Sequence, residues 1–226
     1  MKLIHTDYTF QINFREGFIN HLIVERPEVM SDFVIDLKKQ IEGKEGKWIL
    51  SDNGEVRELA HHCELILNLF DLDINQRKMI NAMHNELSLE INDTELLMDW
   101  RRLNSDLAVF LDKVIENVDY DIIYNELDIK ALFKTVELKF QEHEEHYVEY
   151  LLEYLQLTAE VRGIHIFIFV NLSSFLKKEE LEYLYEQAFY KKIYLLLMDA
   201  HDFTVDKNVE RKIILDADYC IIDTNM

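Results

Sequence analysis

The sequence predicts an α/β fold, in which a parallel sheet with helical crossovers carries an inserted helical segment. Residues 164–170 and 193–198 are apolar, β-branched runs, which is typical of strands buried on both faces. A helical pattern at 176–189 lies between them, and this order implies parallel strands joined by right-handed crossovers. The scarcity of glycine (5) and proline (1) argues against flexible linkers and favours long helices.

The first part of the chain predicts two strands followed by a helix. Apolar residues at 8, 10, 12 and 14 alternate with polar ones, as in a half-buried strand, and 21–24 begins a second apolar strand. Pro27 suits the first turn of a helix, where no backbone donor is needed, and apolar residues at helical spacing extend that helix to Ile41. The remaining signals here are a helix end at Gly43 and Gly46, a short strand at 48–50 and a turn at 52–54.

The middle of the chain predicts helices. Residues 63–70 form an apolar run that periodicity does not assign to strand or buried helix. The apolar stripe of the longest helix, which ends near Ile115, is most simply core. The helices expected here begin near Asp73, at Asp93 or Thr94, near Glu126 and near Gln141.

A third buried strand is expected at 219–222, so both ends of the chain contribute to one sheet. We therefore expect a discontinuous α/β domain that carries a helical insertion. The expected boundaries are residues 1–58 and 139–226 for the α/β domain and residues 59–138 for the insertion.

The charge balance limits the classes of partner. Lys and Arg total 24 and Asp and Glu total 44, which gives a net charge of −20. Such a charge repels polyanions at long range, so taken alone it argues against nucleic acid, and it makes divalent cations attractive counterions. No apolar run approaches the roughly 20 residues that span a bilayer. The start is unlike a signal peptide, and the two cysteines form no CxxC motif, so we expect a cytoplasmic protein with free thiols.

The turn after the strand at 21–24 is where a phosphate-binding loop would lie. It reads Glu25-Arg26-Pro27-Glu28, without the glycines and lysine that cradle phosphates, so nucleotide binding in the usual mode is not expected. Asp199 follows a buried strand, as the magnesium-binding acid does in phosphate-loop enzymes. The simpler explanation of Asp199 is that strands of parallel sheets commonly end in polar residues.

Other motifs for zinc or nucleophilic catalysis are weak. His143 and His146 lie one turn apart, but zinc usually needs a third ligand, and a solvated helix face explains them more simply. The run His61-His62-Cys63 is equally weak. Ser173 and Ser174 lack the Gly-x-Ser-x-Gly turn of a hydrolase.

An acidic cluster lies between two predicted helices. Its oxygen-bearing side chains could converge on calcium, but they do not follow the EF-hand spacing. On spacing alone, a solvated loop is the simpler explanation. The members of this cluster are Glu116, Asp119, Asp121, Asn125 and Glu126.

Several segments, taken in order, resemble the Csn-two family, the type II-A CRISPR adaptation proteins. The most specific is Ile166-Phe-Ile-Phe-Val-Asn171, followed by Phe175-Leu-Lys-Lys-Glu-Glu-Leu181. The resemblance covers roughly residues 60–226 and rests on the order and spacing of the segments. The other segments are 73–87, 119–126 with Leu132-Phe-Lys134, and Leu195-Leu-Leu with 218–226.

The resemblance implies a function without catalysis. It implies a head related to phosphate-loop ATPases but lacking a working nucleotide site, with a helical leg inserted in it. Four subunits would form a ring that threads double-stranded DNA from its ends, and calcium would stabilise the ring. The protein would act in spacer acquisition beside the CRISPR integrase and the RNA-guided nuclease.

The resemblance also implies site residues. The calcium-binding stretch of the family falls on Asp119, Asp121, Asn125 and Glu126, with Glu116 beside it. Ile123 and Asn125 stand where relatives carry acids, so fewer or weaker calcium sites are expected here. DNA would be held by its backbone, without base readout. The candidate cations are Lys134 and Lys139, which match basic positions of the family, and then Arg162, Lys177 and Lys178.

Two other functions stay open from the sequence. One is a divergent nucleotide hydrolase that uses Asp199 and an unusual loop. The other is a protein-interaction adaptor of the adaptation complex that does not bind DNA itself.

Overall fold

The computed structural model describes residues 1–93, 95–142 and 146–224. The chain forms two compact units, one of Met1–Asp73 with His143–Met226 and the other of Ile74–Glu142. The first unit combines sheets and helices, which confirms the α/β class, and the second is helical. The head and leg boundaries drawn from the sequence, at 58/59 and 138/139, stay a prediction.

Strands occur only in the first unit within the described ranges. The strands are β1 (Lys2–His5), β2 (Gln11–Asn13), β3 (Ile19–Val24), β4 (Trp48–Asp52), β5 (Glu55–Arg57), β6 (Cys63–Ile66), β7 (Ile166–Val170), β8 (Tyr194–Asp199), β9 (Glu210–Leu215) and β10 (Ile221–Asp223). The helices are α1 (Pro27–Ile41), α2 (Leu59–His62), α3 (Arg77–Asp93), α4 (Leu96–Ile115), α5 (Ile129–Thr135), α6 (Tyr147–Arg162) and α7 (Lys178–Tyr190), with short 3-10 turns at Leu69–Asp71 and Leu172–Ser174.

A six-stranded sheet, in the order β10-β9-β3-β8-β7-β6, forms the centre of the first unit. The five strands from β9 to β6 are parallel, and β10 is antiparallel to β9. Every residue of β3 is buried, because helices and the second sheet cover both faces. Leu22 and Leu196 pack with Phe33 of α1 and Leu50 of β4 in one core. Alternate residues of β8 point to the opposite face, where α7 packs.

A smaller antiparallel sheet, in the order β2-β1-β4-β5, packs beside this core. The predicted turn at 52–54 is confirmed. Asn53 (φ 50°) and Gly54 (φ 87°) adopt left-handed backbone conformations that join β4 to β5 as a tight hairpin. The strand predicted over 8–14 is limited to β2, and β1 was not predicted.

Helix α1 spans the predicted residues. Pro27 lies at its first turn, and Val29, Phe33 and Leu37 form its buried face. Gly43, with a φ of 79°, follows the helix end in the left-handed conformation that glycine adopts without strain. The predictions of this helix and of the strands β3, β7 and β8 are confirmed.

The third buried strand predicted at 219–222 is wrong. Its last two residues lie in β10, a partly exposed edge strand that runs antiparallel to its neighbour. The inner position belongs to β9, where Glu210 and Lys212 are buried as a charged pair. The undecided run at 63–70 forms the parallel edge strand β6 and then a 3-10 turn.

The helical unit is thin. Helix α3 packs against both α4 and α5, and His84 of α3 shares a 3.0 Å hydrogen bond with the Leu138 carbonyl after α5. Helix α4 has no buried residue, so the expectation that its apolar stripe is core is wrong. The physical reason is that this unit provides too few elements to enclose α4.

Helix α3 begins at Arg77 rather than at Asp73. Of the two residues predicted to begin α4, Thr94 lies outside the described residues.

The structure contains, in the ranges it describes, no helix with the length and apolar character that a bilayer crossing requires.

Candidate functional site

The carboxyl edge of the parallel sheet is occupied by side chains of the chain itself. The Arg26 guanidinium donates to the Ala217 carbonyl at 3.1 Å, and the Ala217 amide donates to Glu25 at 3.1 Å. Arg26 also pairs with Glu28 and lies 4.5 Å from the centroid of the Tyr219 ring. These contacts tie the turn after β3 to the segment after β9. The turn therefore presents paired side chains where a phosphate cradle would present backbone amides.

Asp199 ends β8 in a buried position. Its side chain is fixed because Ser173 Oγ donates to Asp199 Oδ1 at 2.6 Å, and the residue is 2% exposed. Burial raises the pKa of Asp199, while the hydrogen bond from Ser173 opposes that rise. Asn171, after β7, adopts the left-handed conformation at φ 58°. The edge thus holds a buried carboxylate bound to a serine.

The predicted calcium residues lie at the end of α4 and on the segment that returns along it. All five side chains are exposed. The return segment is held by Tyr124 Oη, which donates to Asp112 at 2.7 Å, and by the Leu127 amide, which donates to the Asn104 side chain at 3.0 Å. These contacts place the segment against one face of α4.

The donor chemistry of this stretch suits calcium, since it consists of carboxylate and amide oxygens. Yet the part of the chain that the structure describes contains no group of three or more His, Cys, Asp or Glu side chains positioned to hold a metal ion. Among the described residues of one chain, these acids therefore do not form a cluster of three carboxylates. The calcium assignment stays a prediction.

The five candidate DNA contacts differ in how their charges are used. Lys134, in the last turn of α5, and Lys139 are exposed on the helical unit, and Lys177 and Lys178 are exposed at the start of α7. Arg162 is only partly exposed, and it pairs with Glu64 of β6, a buried acid that also accepts from Tyr154 Oη at 3.0 Å. Lys134, Lys139 and Lys177 keep their charges available to a polyanion, and Lys178 lies 3.8 Å from Glu182 on the surface. The charge of Arg162 is instead neutralised by a buried acid.

The described residues of the weak zinc motifs do not form a metal site. His61 pairs with Glu58 at 3.2 Å on the surface. Burial raises the pKa of the Cys63 thiol to about 12, so the thiolate that binds zinc is disfavoured. His146 lies immediately before α6, and its proposed partner His143 lies outside the described residues.

Sequence reasoning missed a polar cluster inside the first unit. His21 Nε2 lies 3.0 Å from Tyr185 Oη and 3.7 Å from Glu210, and Lys212 binds the Asp202 carboxylate at 2.6 Å. Burial, with a contribution from the Lys212 charge, lowers the pKa of His21 to about 3, so this histidine is neutral. The charged residues of β9 suggest a surface segment. The only signal for burial was that Glu210 and Lys212 are two residues apart, which places both side chains on the same face of a strand.

Sequence reasoning also missed an exposed apolar surface on α4, which we call the α4 seam. Leu96, Leu103, Phe110 and Val114 are 49%, 47%, 61% and 50% exposed. The signal was present as an alternation of four- and three-residue steps, which is the a/d spacing of a coiled coil. The seam consists of the exposed Leu96, Leu103, Phe110 and Val114, together with Trp100 and Leu107, which are only partly exposed.

The fold defines a class of protein: an α/β unit, interrupted in sequence by a helical unit, with a parallel sheet whose carboxyl edge carries paired side chains of the chain itself. The family model of the CRISPR-associated protein (Cas_Csn2) family matches residues 40–219. The chain therefore belongs to this family, and its function is CRISPR-associated. The match confirms the resemblance that the sequence segments indicated.

Proposed function

We propose that this protein is a non-catalytic, double-stranded DNA-end-binding ring that acts in spacer acquisition. Its subunits associate as a homotetramer, which calcium stabilises, and the ring works beside the CRISPR integrase and the RNA-guided nuclease. The first unit serves as a head related to phosphate-loop ATPases, and the helical unit serves as the leg.

The α4 seam is the observation that carries the proposal. An apolar surface with coiled-coil spacing loses its contact with water most readily against a second helix of the same kind. Four of the six seam side chains are about half exposed, which is costly for a protein that stays a monomer. Self-association through the helical unit supports a closed assembly.

Calcium has a chemical reason to enter this assembly. The carboxylates Asp119, Asp121 and Glu126, with the Asn125 amide, are exposed on the unit that carries the seam. Since no three acids converge among the described residues of one chain, the remaining ligands come from a second copy or from water. Calcium bound between copies neutralises the repulsion between like-charged chains, each with a net charge of −20.

DNA binding relies on a minority of cations. Lys134 and Lys139 are exposed on the helical unit, and Lys177 and Lys178 are exposed on the head. Contacts from such lysines to phosphates give affinity without base specificity. The acidic majority of the surface then faces away from the bore.

The absence of catalysis is supported by the turn after β3. Arg26 is engaged by Glu28 and by the Ala217 carbonyl, so it is not aimed at a ligand. The turn Glu25-Arg26-Pro27-Glu28 has no glycine that would let backbone amides converge on a phosphate chain.

Native mass in calcium, and then in chelator, tests assembly and metal dependence together. We expect a tetramer in calcium and smaller species in chelator. The double variant Asp119→Asn with Asp121→Asn should lose the calcium dependence, whereas Asp106→Asn, an exposed acid elsewhere on α4, should keep it. A monomer in calcium would contradict the proposal.

The DNA arm compares a linear duplex with a covalently closed circle of the same sequence. A ring that loads from ends should retain the linear form and release the circle. Equal binding of both forms would remove end loading from the proposal, and binding of neither would favour an adaptor role.

A further inference from the structure

A small polar cavity lies in the first unit, where β2 of the smaller sheet approaches the starts of β3 and β9. Its volume is about 150 Å³. None of its residues belongs to the sites considered above. The lining residues are Gln11, Asn13, Arg15, Asn20, Arg211, Ile213 and Asp223.

Two hydrogen-bond donors of this cavity are buried without partners. Asn20 is 5% exposed, and its Nδ2 has no hydrogen-bond acceptor within the described structure. The same holds for Nε of Arg211, whose guanidinium carbon lies 3.9 Å from the centroid of the Phe18 ring. Buried polar groups are normally satisfied, so a pair of unpartnered donors at one cavity indicates a missing acceptor.

The charge of the cavity points to an anion. Neither Arg15 nor Arg211 forms an ion pair with the residues that the structure describes, although acids outnumber bases by 44 to 24 in the whole chain. Asp223 is the one acid among the described lining residues. Two guanidinium groups beside a buried amide donor form the arrangement that binds oxyanions by charge-assisted hydrogen bonds.

The size of the cavity limits the ligand. Its 150 Å³ is about five times the roughly 30 Å³ that one water occupies in the liquid, but it is below the roughly 300 Å³ where small-molecule pockets begin. A tetrahedral oxyanion with a few waters fits this space, and a whole nucleotide does not. We propose that Arg15, Asn20 and Arg211 form a binding site for a single phosphate group.

This site does not rest on the proposed function. Arg15 and Asn20 precede residues 40–219, which the family model covers, so the family match does not supply them. The phosphate group can come from inorganic phosphate or from the backbone of bound DNA, because both present the same oxygens to the guanidinium groups.

Calorimetric titration of the full chain with inorganic phosphate, at constant ionic strength set by chloride, tests the site. We expect saturable binding, and a shift of the Asn20 side-chain amide signal in nuclear magnetic resonance spectra. Arg15→Gln should weaken phosphate binding about tenfold or more, because it removes a charge-assisted hydrogen bond. Since Arg15 is exposed, this variant should keep the core intact. Arg211→Gln should likewise weaken phosphate binding. The control is Arg57→Gln, an arginine of the same unit that pairs with Glu55 on the surface and should keep full affinity.

A second arm measures the affinity of the same variants for linear duplex DNA. If Arg15→Gln weakens DNA binding and Arg57→Gln does not, the bound group is a backbone phosphate. If only inorganic phosphate binding falls, the ligand is the free anion, and the site stands even where DNA binding itself fails. If wild-type protein binds inorganic phosphate without saturation, and DNA affinity does not respond to Arg15→Gln, the proposed site is wrong.

Discussion

Arg162 is a basic residue whose position in the fold fixes its role. Its guanidinium pairs with Glu64 of β6, and the two side chains are 17% and 8% exposed. Tyr154 donates to the same carboxylate at 3.0 Å. A buried carboxylate that loses its cation is strongly destabilising, because it keeps its desolvation cost. The pair therefore joins α6 to the edge of the sheet, and Arg162 is a poor candidate for a DNA contact.

The stability of two variants separates these roles. Arg162→Ala should lower the free energy of unfolding by about 3 kcal/mol, since it removes the cation beside a buried acid. Lys178→Ala, whose ammonium lies 3.8 Å from Glu182 on the surface, should change it by well under about 1 kcal/mol. Urea denaturation followed by circular dichroism measures both. Equal effects would show that the Glu64 pair contributes no more than a surface pair.

At the scale of elements, α4 differs from the helices of the head. Helix α6 buries seven residues, whereas α4 buries none. The return segment covers the face of α4 that carries Asn104 and Asp112, through the contacts of Leu127 and Tyr124. Helix α3 also packs against α4, yet four side chains of the α4 seam stay about half exposed, so they are available to a partner.

A seam variant should therefore separate assembly from folding. Phe110→Ser removes a side chain that is 61% exposed, so we expect little loss of stability but a shift of the native mass toward monomer. Val109→Ser is the matched control, because Val109 is 52% exposed and lies outside the 4-3 spacing of the seam. An unchanged assembly in Phe110→Ser, with normal helicity, would exclude the seam as the contact between subunits.

Elements with strong local signals were predictable, and elements defined by distant partners were not. Helix α1 has a proline at its start and apolar residues at helical spacing, so its bounds could be read from the sequence. Strand β9 was missed because its charged residues suggest an exposed segment, and the burial of Glu210 depends in part on distant residues such as His21. The seam was mistaken for core because periodicity identifies an apolar face but not what covers it.

For the candidate site residues, only their exposure can be compared with the sequence, and it was predictable in part. The exposure of Lys177 and Lys178 agrees with a surface role, since they begin a helix with a polar first turn. The pairing of Arg162 with Glu64 could not be anticipated, because 98 residues separate the two in sequence. The acids from Asp119 to Glu126 lie on an irregular segment, whose path depends on tertiary contacts such as the one between Tyr124 and Asp112.

At the scale of the whole molecule, the net charge of −20 means that the proposed DNA binding has to rely on a local group of cations. A polyanion approaches only where cations outweigh this background, so few phosphate contacts are expected. Each such contact releases counterions and adds about 0.9 to the slope of log affinity against log salt. The slope of log affinity against log salt therefore measures the number of phosphate contacts.

A double variant that neutralises two neighbouring lysines of the first unit tests this number of phosphate contacts. Lys177→Gln with Lys178→Gln should lower the magnitude of the salt slope by about 2 for linear duplex DNA. Lys38→Gln with Lys39→Gln is the matched control, since these are adjacent exposed lysines at the end of α1. Fluorescence anisotropy at several salt concentrations gives the slopes. Equal slopes for the two double variants would place the DNA away from the start of α7.

The position of β3 in the sheet has a consequence for the order in which the protein folds. Ile19 of β3 pairs with Glu210, and Asn20 pairs with Leu196, so both neighbours of this strand are synthesised long after it. A growing chain that has reached Arg162 contains the helical unit in full, but it lacks both strands that flank β3. Pairings over such distances form slowly, and until they form the apolar side chains of β3 remain open to chaperones and to aggregation.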